Sequence, residues 1–542
     1  MKKQAKRMLA LCAAAVMAVG MLSGCGGSSS ESTGAGSETS ASGENILKFG
    51  CQNYSAGGID PAVDTNNGWN VVRYGIGECL FKFNDAMEIE PWLCDTYEMS
   101  EDHKTWTFHI RDGVKFSDGC DLTAQKVVDN FERLFEAGAS GTATPEKFLE
   151  KEAKMTADDE AGTVTIVTET AYPDLRKNLA YPTMAILDTE HTKDYSNGSI
   201  GTGPYAVKDF TEEVGYNLVA NENYWDGEVP YDGVELLYMG DASAKTMALQ
   251  SGQITLTENI TTVSDLETLQ DDPEYTVTIA NGVRCGFAYI NRDGVLGNDD
   301  LREAVLMAVD EKTMCDVTVG GLYTYGFSVL PSNLTYNYDQ LTNPYEFDAE
   351  AAAAKLDAAG IKDTNGDGNR ELDGEEISLT FITYENRALD TFAEGAQQQL
   401  AEIGIGVEVK SMDSETEWNE MTLGNYDLCS SNWTTVGTGD PTEYFANWYG
   451  KYVDAKNDLR NANWCAYKND EFDKLYEELL VELDEEKRVE IITELQQILI
   501  DDAAVMVHGY YNSSMISSSA VSGAQIHTAD YYWLTTEITP AS

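Results

Sequence analysis

Residues 91–131, PWLCDTYEMSEDHKTWTFHIRDGVKFSDGCDLTAQKVVDNF, hold two hydrophobic periods back to back. From Lys104 to Gly119 apolar and polar residues alternate around Asp112-Gly113, which predicts a β-hairpin turning at that dipeptide. From Leu122 onward the apolar positions fall at helical spacing, and Thr123 stands where a hydroxyl can cap the first turn. A strand pair that feeds a helix sets the pattern to look for on either side.

Working outward, ILKFGCQ (46–52) reads as a strand and GGIDPAVDTNNGWN (57–70) as a loop of turn formers. AGTVTIVTE (161–169) is another strand, and GTGPYAVKDF (201–210) with YNLVANENYW (216–225) predicts a turn and paired strands. Helical spacing recurs at 242–254, 300–310 and 348–360, the last stopping at Gly360. ISLTFITY, ALDTFAEGAQQQLAEIG and IGVEVKSM (377–412) make a β-α-β unit. Two helical segments over 470–502 precede a last strand, AAVMVHGYY (503–511). Strands alternating with helices of this length predict α/β lobes with largely parallel sheets.

The chain opens with Lys2, Lys3, Lys6 and Arg7, then runs apolar from Met8 to Leu22, too short for a permanent membrane span. Leu22-Ser23-Gly24-Cys25 resembles a bacterial lipobox, in which the cysteine thiol takes a diacylglycerol and becomes the new N-terminus. The alternative is an ordinary secretory leader with a chance cysteine. Residues 26–44 are a Gly/Ser-rich stretch with no apolar period, a flexible coil averaging roughly 24 Å end to end. The expectation is an exported protein, lipid-anchored at Cys25 to the outer face of the cytoplasmic membrane.

Without the four basic leader residues the chain carries 32 Lys+Arg against 92 Asp+Glu, a formal charge of −60. That field repels phosphate backbones and argues against a nucleic-acid partner. The aromatics and patterned segments argue against an acidic disordered tail. Ten cysteines include Cys12 and Cys25, and the other eight are scattered with no C-x-x-C pair. Zinc ribbons and thioredoxin-like motifs therefore lack support, and most of the eight read as small buried residues. About 500 mature residues exceed one core, so two or three domains are expected.

The segment 91–131 also resembles bacterial extracellular solute-binding proteins of the oligopeptide/dipeptide/nickel class, through the frame Trp106-Thr107-Phe108, Arg111, Val114-Lys115-Phe116 and Asp118-Gly119. GTGPY from Gly201, NENYWDG from Asn221, ALQSGQI from Ala248, LREAVLMAVD from Leu301, YDLCSSNWTTVGTGDP from Tyr426 and NDEFDKLYEELLVELDEEKR from Asn469 follow in the family's order. The resemblance implies an α/β, two-lobed periplasmic-binding-protein-like fold with an extra inserted domain (type II, three-domain, oligopeptide-binding-like). Lobe I would comprise 45–80, 201–280 and 510–542, the insertion 81–200, and lobe II 281–509. It further implies capture of a short peptide or peptide-like solute between the lobes and delivery to an ABC permease and its ATPase. A nickel chelate is the alternative cargo, and an orphan surface receptor the alternative role. No catalytic residue and no cofactor are implied, and a monomer is expected.

The family's cleft loop corresponds to 432–441. Trp433 would offer a flat face to ligand, or else pack in a lobe core; Thr434 follows it. Peptide-binding members commonly carry an aspartate just after this tryptophan, but here the next acid is Asp440, which is either a ligand partner or a turn former before Pro441. Asn66, Asn67 and Trp69 lie near the lobe junction, and Tyr510 or Tyr511 would face the cleft at the return crossover. Arg387, after a predicted strand, can clamp a carboxylate or make a surface ion pair, with Arg284 a weaker candidate of the same kind.

The five histidines lack metal-site spacing, so no protein-built metal cage is expected. Asp363, Asn365, Asp367 and Gly368 follow a calcium-loop pattern, but its twelfth position is Gly374 and Glu375 comes one late. A hydrolase is disfavoured because no G-x-S-x-G, H-E-x-x-H or P-loop occurs. An adhesin is disfavoured by the lack of repeats.

Overall fold

Two long strands organise the protein in a computed structural model that describes residues 45–541 apart from 53–57, 139–142, 385 and 454–462. The leader, Cys25 and the linker lie outside the described residues. Tyr275–Ile290 and Val505–Ser518 run antiparallel along most of their lengths. From Arg284 on, the first strand also pairs with Leu428–Thr434, beyond which lie Ser378–Tyr384 and Gly406–Met412. At the opposite end, residues 515–517 pair with Leu256–Glu258. Ile46–Cys51, Gly233–Tyr238, Gly215–Ala220 and Tyr205–Thr211 follow in that order. With the two-residue strand Tyr323–Thr324, which pairs with Tyr511 and Tyr510, the result is one sheet of eleven strands whose two halves share this central pair.

The pairing slips between Asn281 and Arg284 and again between Gly286 and Phe287. Such a slip takes residues out of the ladder and bends the strand. The ladder is therefore interrupted where the halves meet. A Cβ at Gly282 would lie 2.8 Å from the Tyr511 carbonyl oxygen, so this close approach requires glycine. The lobe limits expected at 280 and 509 fall inside these two crossing strands.

Along 285–290 alternate side chains face two cores. Cys285, Phe287 and Tyr289 meet an aromatic cluster with Trp448 and Trp464, while Ala288 and Ile290 meet the helices Asp299–Met307 and Leu389–Glu402. Burial on both faces suits the unbroken apolar run at 285–290. A separate four-stranded antiparallel sheet (Cys94–Met99, Thr105–Ile110, Thr163–Val167, Lys154–Asp158) packs against helix Ala124–Gly138. Thr123 Oγ1 accepts from Lys126 N at 3.4 Å at the start of that helix.

Three expectations are corrected. No hairpin forms at Asp112-Gly113. Thr105–Ile110 is an inner strand between Cys94–Met99 and Thr163–Val167, which offer longer partners than the segment beyond Gly113. Val114 and Phe116 go into the core instead, and the chain doubles back through Asp118-Gly119, where Lys115 bridges Asp121. Residues 65–73, read as loop, form a helix. Asp64 caps it by accepting from Asn66 N at 2.8 Å, and buried Val71 and Val72 outweigh the poor propensity of its asparagines and glycine. The large sheet is mixed rather than largely parallel. Only Ile46–Cys51 and Ser378–Tyr384 pair parallel with their neighbours, because the crossing strands return directly against each other. The β-α-β unit does form, with Leu389–Glu402 linking two parallel strands.

The eight described cysteines are all unpaired, seven of them buried and Cys120 half-buried. Among the described residues no helix is long and apolar enough to cross a membrane.

Candidate functional site

Strand Leu428–Thr434 runs out of the large sheet beside the register slip, and helix Thr65–Arg73 faces the loop that follows it. A cavity of about 290 Å³ lies between them, lined by Trp69, Tyr181, Arg284, Asn432, Trp433 and Thr434, with Asp440 at its wall. In the ladder Arg284 stands opposite Thr434 on one side and Tyr511 on the other, directly after the slip. A bulge re-aims the side chain next to it. Here it turns an arginine toward the cavity.

Aromatic faces hold the cations in this region. Arg73 lies 5.3 Å from the Trp69 ring centre and 4.3 Å from that of Trp533, and it donates to Asp530 Oδ2 and to the Asp530 carbonyl, both at 2.8 Å. The Arg284 guanidinium lies 5.5 Å from the Trp69 ring. The Arg284 guanidinium makes no hydrogen bond or ion pair with any described residue. Burial lowers its pKa to about 10, and the neighbouring Arg387 and Arg73 add to the effect against Asp530. A half-buried cation among like charges, without a carboxylate in contact, favours an anionic group beside it.

The polar wall is prepared in the same way. Trp69 Nε1 donates to Tyr181 OH at 3.1 Å, which fixes the indole. Asn432 Nδ2 donates to Tyr323 OH at 3.2 Å, whereas the buried Asn432 Oδ1 has no partner among the described residues. Thr435 turns away to the Val283 carbonyl. The Trp433 ring centre lies 6.4 Å from that of Tyr444. The cavity thus combines two indoles and a cation.

Of the residues singled out in the sequence, Trp69, Trp433, Thr434 and Asp440 meet at this cavity. Asp440 is engaged elsewhere: Oδ2 accepts from Arg488 at 2.6 Å and Oδ1 from Thr442 N at 2.8 Å. Burial alone would raise its pKa, but Arg488 and Thr442 hold it below the usual carboxylate range. Asn66 sits in the first turn of helix Thr65–Arg73 and is not among the lining residues. Arg387 and Tyr511 lie just behind the wall, the guanidinium 5.4 Å from the phenol ring. Arg387 and Ala388 both have positive φ, and the Arg387 carbonyl accepts from Tyr323 OH at 2.9 Å.

Arg284, ranked below Arg387 in the sequence, is the arginine at the cavity. Tyr181 and Tyr444 also line it. Tyr181 lies in the segment read as insertion, far along the chain from the cleft loop, and no local pattern marks it. His508 is fully buried, with Nδ1 2.9 Å from Glu311 Oε1 and its ring stacked on Phe392. In the calcium-like loop the Asp363 carboxylate accepts from the amides of Gly366 at 2.6 Å and Gly368 at 2.9 Å, as a turn-forming aspartate does.

Residues 88–456 match the family described as "Bacterial extracellular solute-binding proteins, family 5 Middle". The chain is 26% identical over 481 residues to the probable D,D-dipeptide-binding periplasmic protein DdpA of Escherichia coli K12, covering 86% of this chain and 88% of that one. Among solved structures, NikA from Staphylococcus aureus in complex with Ni(L-His)2 superposes with a TM-score of 0.73 at 23% identity, over 92% of this chain and 100% of the other. The oligopeptide-binding protein AppA from Bacillus subtilis in complex with a nonapeptide gives 0.72 at 21% identity, over 92% and 100%. These neighbours share the type II periplasmic-binding-protein fold, mixed α/β around a large sheet. By sequence match and by fold, the chain belongs to the family 5 bacterial extracellular solute-binding proteins, the peptide- and nickel-binding class of extracytoplasmic transport proteins.

Proposed function

We propose that this protein is the lipid-anchored substrate-binding subunit of an ABC importer, taking up a short peptide or peptide-like solute that carries a carboxylate. The observation behind this reading is Arg284, a half-buried cation without a contacting counter-ion, beside Trp69 and Trp433. A carboxylate there would gain a charge-assisted bond, and the indoles would cover the solute's apolar part. Trp433, Trp69, Thr434 and Arg284 would touch it directly, with Arg387 and Tyr511 supporting from behind. Asn66 and Asp440 would act on the backbone turns around the site. Lobes of 45–80 plus 201–280 plus 510–542 and of 281–509 would close about the register slip, with 81–200 riding on the first. The protein works as a monomer and catalyses nothing. Cys25 and the Gly/Ser stretch would hold it near its permease while leaving the lobes free to turn.

A nickel–histidine chelate is the second reading. The cavity offers no ready partner for a peptide α-ammonium: Asp440 is held by Arg488, and Glu443 is paired with Lys147. Histidine carboxylates would suit Arg284 equally well. Titration calorimetry with di- to hexapeptides, their C-terminal amides and nickel–histidine separates the two. A peptide that binds at least about tenfold more tightly than its amide supports the first reading. Binding of nickel–histidine alone supports the second, and binding of neither sinks both.

A further inference from the structure

A second cluster lies outside the cleft, where the turn after strand Thr105–Ile110 meets the segment before residue 195. Asp118, Cys120, Asp188 and His191 each bring one ligand atom to within 4.8 Å of the others. His191 Nδ1 is 3.0 Å from Asp188 Oδ2, 3.5 Å from Asp118 Oδ2 and 3.8 Å from Cys120 Sγ. In a tetrahedral zinc site, metal–ligand bonds of about 2.0–2.3 Å place neighbouring ligand atoms roughly 3.3–3.6 Å apart. The separations measured from His191 bracket that value.

The outer bonds are also arranged. Asp188 Oδ1 accepts from the backbone amides of Glu190 at 2.8 Å and His191 at 3.1 Å, leaving Oδ2 for the cluster. Asp118 Oδ1 accepts from Cys120 N at 2.9 Å, again leaving Oδ2 inward. Each carboxylate is thus anchored through one oxygen and presented through the other, as ligating carboxylates are when backbone groups orient them. Asp188 is completely buried, while Cys120 and His191 remain open enough to admit an ion. Among the described residues the single cation in contact is Lys126, 2.7 Å from Asp188 Oδ2, and Glu190 Oε2 lies 3.5 Å from the same ammonium. Lys126 therefore has a second carboxylate to move to when an ion displaces it.

We propose that Asp118, Cys120, Asp188 and His191 form a binding site for a borderline divalent transition metal, Zn(II) foremost, separate from the solute cleft. One sulfur, one imidazole nitrogen and two carboxylate oxygens are a donor set suited to zinc and ill suited to calcium or magnesium. The bound ion would pin the turn at 118–120 to the segment at 188–191, joining residues about seventy positions apart in the chain. The cysteine here is the described one that is not buried, so it is also the thiol most open to alkylation.

The test titrates the purified protein with Co(II) and then Zn(II). The expected result is one equivalent of Co(II), a thiolate-to-cobalt charge-transfer band in the near ultraviolet, and its loss when Zn(II) displaces cobalt. Cys120→Ser should remove that band, and His191→Ala should weaken binding at least about tenfold. Lys126→Met should tighten it, and Arg284→Gln in the cleft should leave it unchanged. Should Cys120→Ser fail to fold, alkylation of Cys120 in the unaltered protein, read by peptide mass, should slow at least about tenfold with Zn(II) present. No binding, a band that persists in Cys120→Ser, alkylation indifferent to zinc, or binding lost in Arg284→Gln would each overturn the proposal.

Discussion

The Arg284 guanidinium stands 5.5 Å from the centre of the Trp69 ring, so strand Tyr275–Ile290 and helix Thr65–Arg73 meet through a cation and an indole face. Replacing this arginine removes the charge that faces the cavity and leaves the ladder intact. Arg284→Gln is expected to cost a carboxylate-bearing solute about 1.5–3 kcal/mol of binding. Its effect on the unliganded protein should be small, because like charges on Arg387 and Arg73 already oppose Arg284. Calorimetry that finds an unchanged dissociation constant would move the anion site elsewhere.

Trp433 offers contact area rather than charge. A cognate solute at ~100 times its dissociation constant adds ~2.7 kcal/mol to stability, which appears as an upward shift in melting temperature. Trp433→Ala should abolish that shift while leaving the far-ultraviolet circular dichroism unchanged. A variant that still shifts fully would place the solute outside this cavity.

Asp440 gives the opposite pattern. Its bonds to Arg488 and Thr442 hold the turn at Pro441. Asp440→Asn leaves the nearly buried Arg488 without its charge partner, at a cost of about 3 kcal/mol. Denaturant melts should show that loss, whereas solute affinity extrapolated to folded protein should change little. Loss of affinity without loss of stability would make Asp440 a direct ligand.

These contrasts show what the sequence carries. Helix spacing from Leu122, the turn and paired strands at 201–225 and the β-α-β unit at 377–412 are local patterns; the helix forms over Ala124–Gly138, the strands over Tyr205–Thr211 and Gly215–Ala220, and the β-α-β unit as a whole. The cleft loop was legible through its order among family segments, which brought out Trp433 and Thr434. The choice between Arg284 and Arg387 was not legible, because it depends on a register slip between strands more than two hundred residues apart. The helix at 65–73 was hidden by asparagine and glycine, whose propensities lost to a cap and to buried valines. Asp118, Cys120, Asp188 and His191 escaped notice because D-x-C and D-x-x-H match no familiar zinc spacing. Only the fold brings the two halves together.

Two buried glutamates give stability a pH dependence. Glu78 accepts from Thr202 at 2.6 Å and from Trp225 at 2.9 Å, and Glu417 accepts from Cys429 Sγ at 3.2 Å. Burial raises both from 4.5 to about 7. Below about pH 4.5 each is protonated whether the chain is folded or not, and above about pH 7 each is ionised in both states. Between those values the folded protein holds the extra proton, so stability falls as pH rises. Each glutamate contributes up to about 1.4 kcal/mol per pH unit there. The melting temperature should therefore be higher at about pH 5.5 than at about pH 7.5, and Glu78→Gln with Glu417→Gln should flatten the curve. A double variant that keeps the full slope would place the titration on other groups. Carboxylates held low, such as Asp188 and Asp440, act only at more acid pH.

Because Val505–Ser518 is the middle of the large sheet, the strand that pairs the two sides of that sheet is synthesised after all its other strands. A nascent polypeptide stopped at Ala504 keeps Ile46–Cys51 and its neighbours but has no strand to pair them with Tyr275–Ile290 and Leu428–Thr434. Limited proteolysis of that truncated form should leave no resistant fragment that spans both sides, and finding one would refute the point. The two sides of the large sheet therefore share no ladder until the chain has been made through Ser518.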